Sequence, residues 1–139
     1  MKISFDPSKC TGCMACQMAC LDQRDIDCKN GQKPLRYVEA REDGLSVTFH
    51  SIGCIHCGGC ISACPMGCIG RDENGLVQIM DDSCIGCGSC VSTCPLSVIS
   101  LSPATGRAMK CDGCAERIKA GLLPACVHTC PTGALALKP

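Results

Sequence analysis

Eighteen cysteines in 139 residues dominate the chemistry open to this chain. Sixteen of them fall into four groups. Cys10, Cys13, Cys16 and Cys20 make a C-x2-C-x2-C-x3-C run. Cys54, Cys57, Cys60 and Cys64 repeat it before Pro65, and Cys84, Cys87, Cys90 and Cys94 repeat it before Pro95. The fourth group is stretched: Cys111 and Cys114, eleven intervening residues, then Cys126 and Cys130 before Pro131. Thiols in such numbers serve disulfides, zinc or iron–sulfur clusters. Disulfides need an oxidising compartment, and residues 1–7 offer no apolar stretch or twin arginine to direct export. Zinc favours separated C-x2-C pairs, and three evenly spaced cysteines crowd a tetrahedral ion. Cysteines at i, i+3 and i+6 instead wrap three corners of a cubane, which points to four 4Fe–4S clusters.

Glycines between the cysteines (Gly12, Gly58, Gly59, Gly86, Gly88 and Gly113) are expected to supply positive φ and bring backbone N–H groups to the sulfurs. The fourth cysteine of each run lies three residues further on, where a short helix starts, and points away from its own loop. It therefore serves the other cluster of a pair, as in bacterial two-cluster ferredoxins; the proline after it stops the turn. Groups two and three are contiguous and alike, CIHCGGCISACPMGCI aligning with CIGCGSCVSTCPLSVI, and CVHTCPTGAL matches the end of the same unit. They should share a module, with Cys54, Cys57, Cys60 and Cys94 on one cluster and Cys84, Cys87, Cys90 and Cys64 on the next. Groups one and four pair if the chain ends fold together. That leaves Cys10, Cys13, Cys16 and Cys130 on a third cluster, and Cys111, Cys114, Cys126 and Cys20 on the fourth.

The elements that must position these groups are short. Helices should follow Cys16, Cys60, Cys90 and Cys126. Residues 37–40 and 45–49 read as a hairpin around the loop 41–44, residues 75–80 as a strand, and residues 99–101 and 135–137 as closing strands. The architecture is α+β, two ferredoxin-like modules with the second inserted within the first: residues 1–35 plus 103–139 outside, 36–102 inside. With no Trp, one Tyr and two Phe, each module lacks an ordinary apolar core, and the clusters replace it.

The chain resembles the four-cluster iron–sulfur subunits of molybdenum and tungsten oxidoreductases, the dimethyl sulfoxide reductase iron–sulfur subunit group. Related subunits serve formate dehydrogenases, formate-linked hydrogenases and tungsten aldehyde oxidoreductases. The resemblance spans nearly the whole chain and is most specific from Lys110-Cys111-Asp112-Gly113-Cys114 through Leu123-Pro124-Ala125-Cys126 to Cys130-Pro131-Thr132-Gly133-Ala134-Leu135. A first group without a trailing proline, as at Cys20-Leu21, is usual there, and so is the pairing of first with fourth and second with third. Two features depart from it. Only Gly58 and Gly59 separate Cys57 from Cys60, where the family commonly has four residues, and the chain stops soon after its fourth group.

The resemblance implies a non-catalytic electron-transfer subunit with two partners, a catalytic molybdenum or tungsten oxidoreductase subunit and a second redox protein. A hydrogenase–formate dehydrogenase linker, a free polyferredoxin and a zinc-binding interaction module are the alternatives. Charge argues against nucleic acid: thirteen basic residues balance thirteen acidic ones with no basic run. Four oxidised clusters would add about −8, which the lysines and arginines offset. No Ser/His/Asp set, P-loop or dinucleotide fingerprint is visible, and no stretch reaches a membrane span. The chain reads as cytoplasmic, without a membrane anchor of its own.

Among the remaining residues, Cys68 takes the offset that Val98 and Ala134 take in their repeats and reads as packing. Cys28 reads as a loop thiol. His56 and His128 sit inside ligand groups, where a ring N–H can hydrogen-bond sulfur; the preferred reading for both is an exposed or backbone-bonded ring. Met14, Met18 and Met66 should pack against clusters, and residues 116–119 should form a solvated helical turn.

Overall fold

A computed structural model describes residues 1–80 and 83–139. Four two-stranded antiparallel ribbons and five short helices make up the described chain. Strand β1 (Lys2–Phe5) pairs with β8 (Leu135–Lys138), Ile3 opposite Leu137 and Phe5 opposite Leu135, so the two ends of the chain lie together. The other ribbons are β2 (Arg36–Asp43) with β3 (Ser46–Gly53), β4 (Ile69–Arg71) with β5 (Val77–Ile79), and β6 (Ser100–Leu101) with β7 (Ala108–Met109).

Each cysteine group starts a helix. Helix α1 (Ala15–Gln23) packs against α5 (Ala125–Thr129), and α2 (Gly59–Ala63) against α3 (Ser89–Thr93); α4 is Ala115–Lys119. Three of these helices stop at the fourth cysteine of their motif. Cys64, Cys94 and Cys130 are extended, with ψ of 113°, 116° and 112°, because a following proline disfavours the helical region. Cys20 precedes leucine instead, so α1 continues to Gln23 and buries Cys16 and Cys20 four residues apart on one face.

The hairpin is longer than the sequence suggests. Arg41, Glu42 and Asp43 belong to β2, and the turn is the pair Gly44–Leu45 with Gly44 at φ 63°. The outer half of this ribbon is exposed on both faces; charged side chains are therefore no bar to strand there, and a glycine at the first central position suits a two-residue hairpin turn. Gly59 also differs from expectation: it is the first residue of α2, outside the positive-φ set.

Neither two-stranded ribbons nor five-residue helices are stable alone in water. Half of the buried residues they pack onto are cysteines. One buried cluster is Cys60, Cys68, Ile69, Val77, Cys90 and Ile99; the other is Ile3, Cys16, Cys126 and Leu135.

Candidate metal centres

The four loops share a backbone pattern. The second residue after the first cysteine has positive φ in each: Gly12 at 75°, His56 at 60°, Gly86 at 71° and Gly113 at 74°. A second left-handed residue follows one or two positions later, at Met14, Gly58, Gly88 and Cys114. In the second and fourth loops this path brings an amide to the first cysteine: the N–H of His56 donates to Cys54 Sγ at 3.3 Å and that of Gly113 to Cys111 Sγ at 3.2 Å. For the third loop the amide comes from β7, the N–H of Ala108 donating to Cys84 Sγ at 3.3 Å.

Four cavities result, each lined by four of the predicted cysteines. Cys10, Cys13, Cys16 and Cys130 meet around about 320 Å³ of free space, its open mouth included. Cys20, Cys111, Cys114 and Cys126 surround about 350 Å³. Cys54, Cys57, Cys60 and Cys94 surround about 300 Å³, and Cys64, Cys84, Cys87 and Cys90 about 360 Å³. Every quartet combines three cysteines of one motif with the last cysteine of another. All-sulfur donor sets on apolar walls, with amides aimed at the sulfurs, fit iron–sulfur clusters.

The surroundings of the quartets differ. Arg36 is buried beside Cys126 in the Cys20/Cys111 cavity, where Gly53 leaves room for its guanidinium: a Cβ there would lie 2.5 Å from Arg36 Cζ. Arg36 Nη1 donates to Ser51 Oγ at 3.1 Å, and that hydroxyl lies 3.3 Å from Cys16 Sγ. Lys110 is buried at the Cys54 cavity, its Nζ donating to the carbonyls of Val77 and Cys111, both at 2.6 Å. Arg71 donates to the carbonyls of His56 and Cys57 and so ties down the second loop.

Burial pushes the Cys20 thiol up to about 11, with the neighbouring Cys126 and Cys114 adding to it, and pushes Cys111 up to about 12. Cys126 is raised by burial and held back by the Arg36 guanidinium. Metal binding must displace these protons.

Cys28 is exposed in a short 3-10 turn, Cys28–Asn30. Cys68 is buried, like Val98 and Ala134. Its Sγ also lies 3.1 Å from Cys64 Sγ and lines the Cys84 cavity. Met14 and Met66 line cavities, whereas Met18 is 61% exposed and faces away. Residues 116–119 fall in α4, where Glu116 and Lys119 form an exposed ion pair. His128 is exposed on α5. His56 is buried, its Nδ1 accepting from the Val77 N–H at 2.9 Å. Burial, then the charge of Lys110, lowers its pKa to about 4. Sequence reasoning missed Arg36, Lys110 and Arg71. The only signal for Lys110 was its place beside Cys111, and nothing in the pattern singled out Arg36 or Arg71.

The ribbons and quartets together define a ferredoxin-like iron–sulfur protein. A 4Fe–4S dicluster domain is recognised over residues 45–139 and a second over residues 9–69; the chain belongs to the 4Fe–4S dicluster family and carries four clusters. It is 43% identical to the thiosulfate reductase electron transfer subunit of Salmonella typhi, covering 94% of this chain and 71% of that one. It is 34% identical to a subunit of the anaerobic dimethyl sulfoxide reductase of Escherichia coli, covering 97% and 71%. Against the nitrate-inducible formate dehydrogenase iron–sulfur subunit of Escherichia coli it is 37% identical over 94% of this chain and 51% of the relative, so it spans about half the length of that protein. Like the first of these relatives, it is an electron-transfer subunit. Among the described residues no helix is long and apolar enough to cross a membrane.

Proposed function

We propose that each quartet holds one 4Fe–4S cluster, and that the chain relays single electrons between the catalytic subunit of a molybdenum or tungsten oxidoreductase and a second redox partner. The observation that carries this reading is the lining of four separate cavities by four cysteines apiece, each set drawn from two motifs. The cavities order themselves through shared elements. The Cys10 and Cys20 quartets share α1 and α5, and the Cys54 and Cys84 quartets share α2 and α3. Cys111 and His56 join the two pairs.

The inner module is inserted within the outer one, whose halves meet through β1 and β8. Arg36, Val38 and Ser51 face the Cys10 and Cys20 cavities, so the hairpin goes with the outer module and the inner one starts at Cys54, not at residue 36. The compartment we propose is the reducing cytoplasm, where cysteines remain available to metal clusters.

Anaerobic purification tests the proposal. About sixteen Fe and sixteen sulfides per chain are expected, with a large molybdenum or tungsten enzyme copurifying. Bound zinc and no visible absorption would overturn the cluster assignment, and a chain that purifies alone with full iron would make it a free carrier.

A further inference from the structure

His56 occupies the position held by glycine in the other three loops. At Gly12, Gly86 and Gly113 a Cβ would run into Phe49, the Gly106 carbonyl or Leu76, at 2.5, 2.2 and 2.8 Å respectively. In the second loop a full side chain stands there, left-handed at φ 60° and only 3% exposed. A non-glycine residue in this region is strained, and strain of this kind gathers at functional positions. The ring is held by two bonds. Because Nδ1 accepts from the Val77 N–H, the neutral imidazole carries its proton on Nε2. That N–H faces Cys111 Sγ at 3.8 Å. The backbone N–H of the same residue donates to Cys54 Sγ at 3.3 Å. One residue is thus hydrogen-bonded to a sulfur of each of two quartets that belong to different modules.

We propose that His56 is a positioning residue for electron transfer. It couples the Cys54 and Cys111 quartets across the module junction, and its ring raises the reduction potential of the cluster on the quartet outside its own loop. The inference rests on the quartet assignment above. A hydrogen bond to a ligand sulfur favours the more negative, reduced state. When one electron crosses the junction, the core on one quartet is oxidised as the core on the other is reduced; His56 keeps its proton and no bond breaks.

The test uses the holoprotein, titrated anaerobically with dithionite and followed by EPR. His56→Leu should shift the reduction equilibrium of one cluster about tenfold downward, ~59 mV for a one-electron couple. His56→Gln, which keeps an N–H donor, should recover most of that shift, and exposed His128→Leu should move nothing. Wild-type protein labelled with 15N-histidine should show one histidine nitrogen coupled to a reduced cluster in pulsed EPR, and His56→Gln should abolish it. The wild-type measurement decides the matter even if the leucine variant fails to assemble. Sixteen Fe with no such coupling would overturn the role of His56 and leave the quartets standing. Substantially less iron in the wild type would instead overturn the quartets.

Discussion

The two cavities that meet at the module junction differ from the two at the ends. The Cys20/Cys111 cavity contains buried Arg36, and the Cys54 cavity contains buried Lys110. Among the described residues, neither the Cys10 nor the Cys84 cavity is lined by a lysine or arginine. The end quartets rely on weaker dipoles: Ser51 Oγ at Cys16, and the Ala108 amide and the Cys68 thiol at Cys84 and Cys64. Each reduction adds a negative charge, and a nearby cation stabilises that charge better than a dipole does. The junction clusters should therefore have the higher potentials, with electrons resting mid-chain between two lower-potential ends.

The largest expected effect lies at an end loop. A Cβ on Gly86 would lie 2.2 Å from the Gly106 carbonyl oxygen, a backbone atom that cannot step aside, and φ there is 71°. Gly88, two residues on, is also left-handed at φ 79° but has nothing within 4 Å. Gly86→Ala should prevent assembly of the Cys84 quartet, and iron analysis should find about four fewer Fe per chain. Gly88→Ala should cost about 1 kcal/mol of backbone strain and keep all of its iron. Equal iron in both variants would mean that the close approach at Gly86 does not govern assembly.

Next in size is the charge at the junction. A unit charge about 6 Å from a cluster, at an effective dielectric near 20, amounts to about 2.8 kcal/mol. Arg36→Met should therefore lower one reduction equilibrium about a hundredfold, ~120 mV for a one-electron couple. Lys110→Met should act on the neighbouring quartet, and more weakly, because that ammonium is already engaged by the Val77 and Cys111 carbonyls. EPR-monitored titration separates the two. If the end clusters move as far as the junction clusters, the contrast between junction and ends is lost.

Much of this organisation was legible in the cysteine spacing, because a ligand loop is a local object. Three cysteines, a left-handed residue and a helix start fit within seven residues, and the proline after Cys64, Cys94 or Cys130 marks where each helix stops. The sets suggested by the repeat also share cavities, since joining the chain ends is the topology that brings group one to group four. What was not legible depends on distant contacts. Arg36 lies in an exposed-looking hairpin, and only Gly53 on the opposing strand makes room to bury it. His56 reads as a member of its own loop, yet its ring reaches Cys111, 55 residues away. Met18 shares a helix with Cys16 and Cys20, but the side opposite the cysteines leaves it in solvent.

The smallest effect concerns Cys68, which separates a tuning thiol from a spare ligand at an end quartet. The hydrogen bond it shares with Cys64 raises the Cys68 thiol to about 12 and lowers that of Cys64, so Cys68 is the partner that keeps its proton. With the Sγ atoms 3.1 Å apart, Cys68→Ala should retain all sixteen Fe and shift the Cys84-side cluster by less than tenfold, under ~59 mV. Cys68→Ser, whose hydroxyl still donates, should shift it less. The comparison turns on Cys64→Ala. If the cluster is lost there, Cys68 only tunes. If the full iron content survives, the neighbouring thiol has given up its proton and moved into the vacant corner, and this end of the molecule has a reserve ligand in place of the junction's fixed charge.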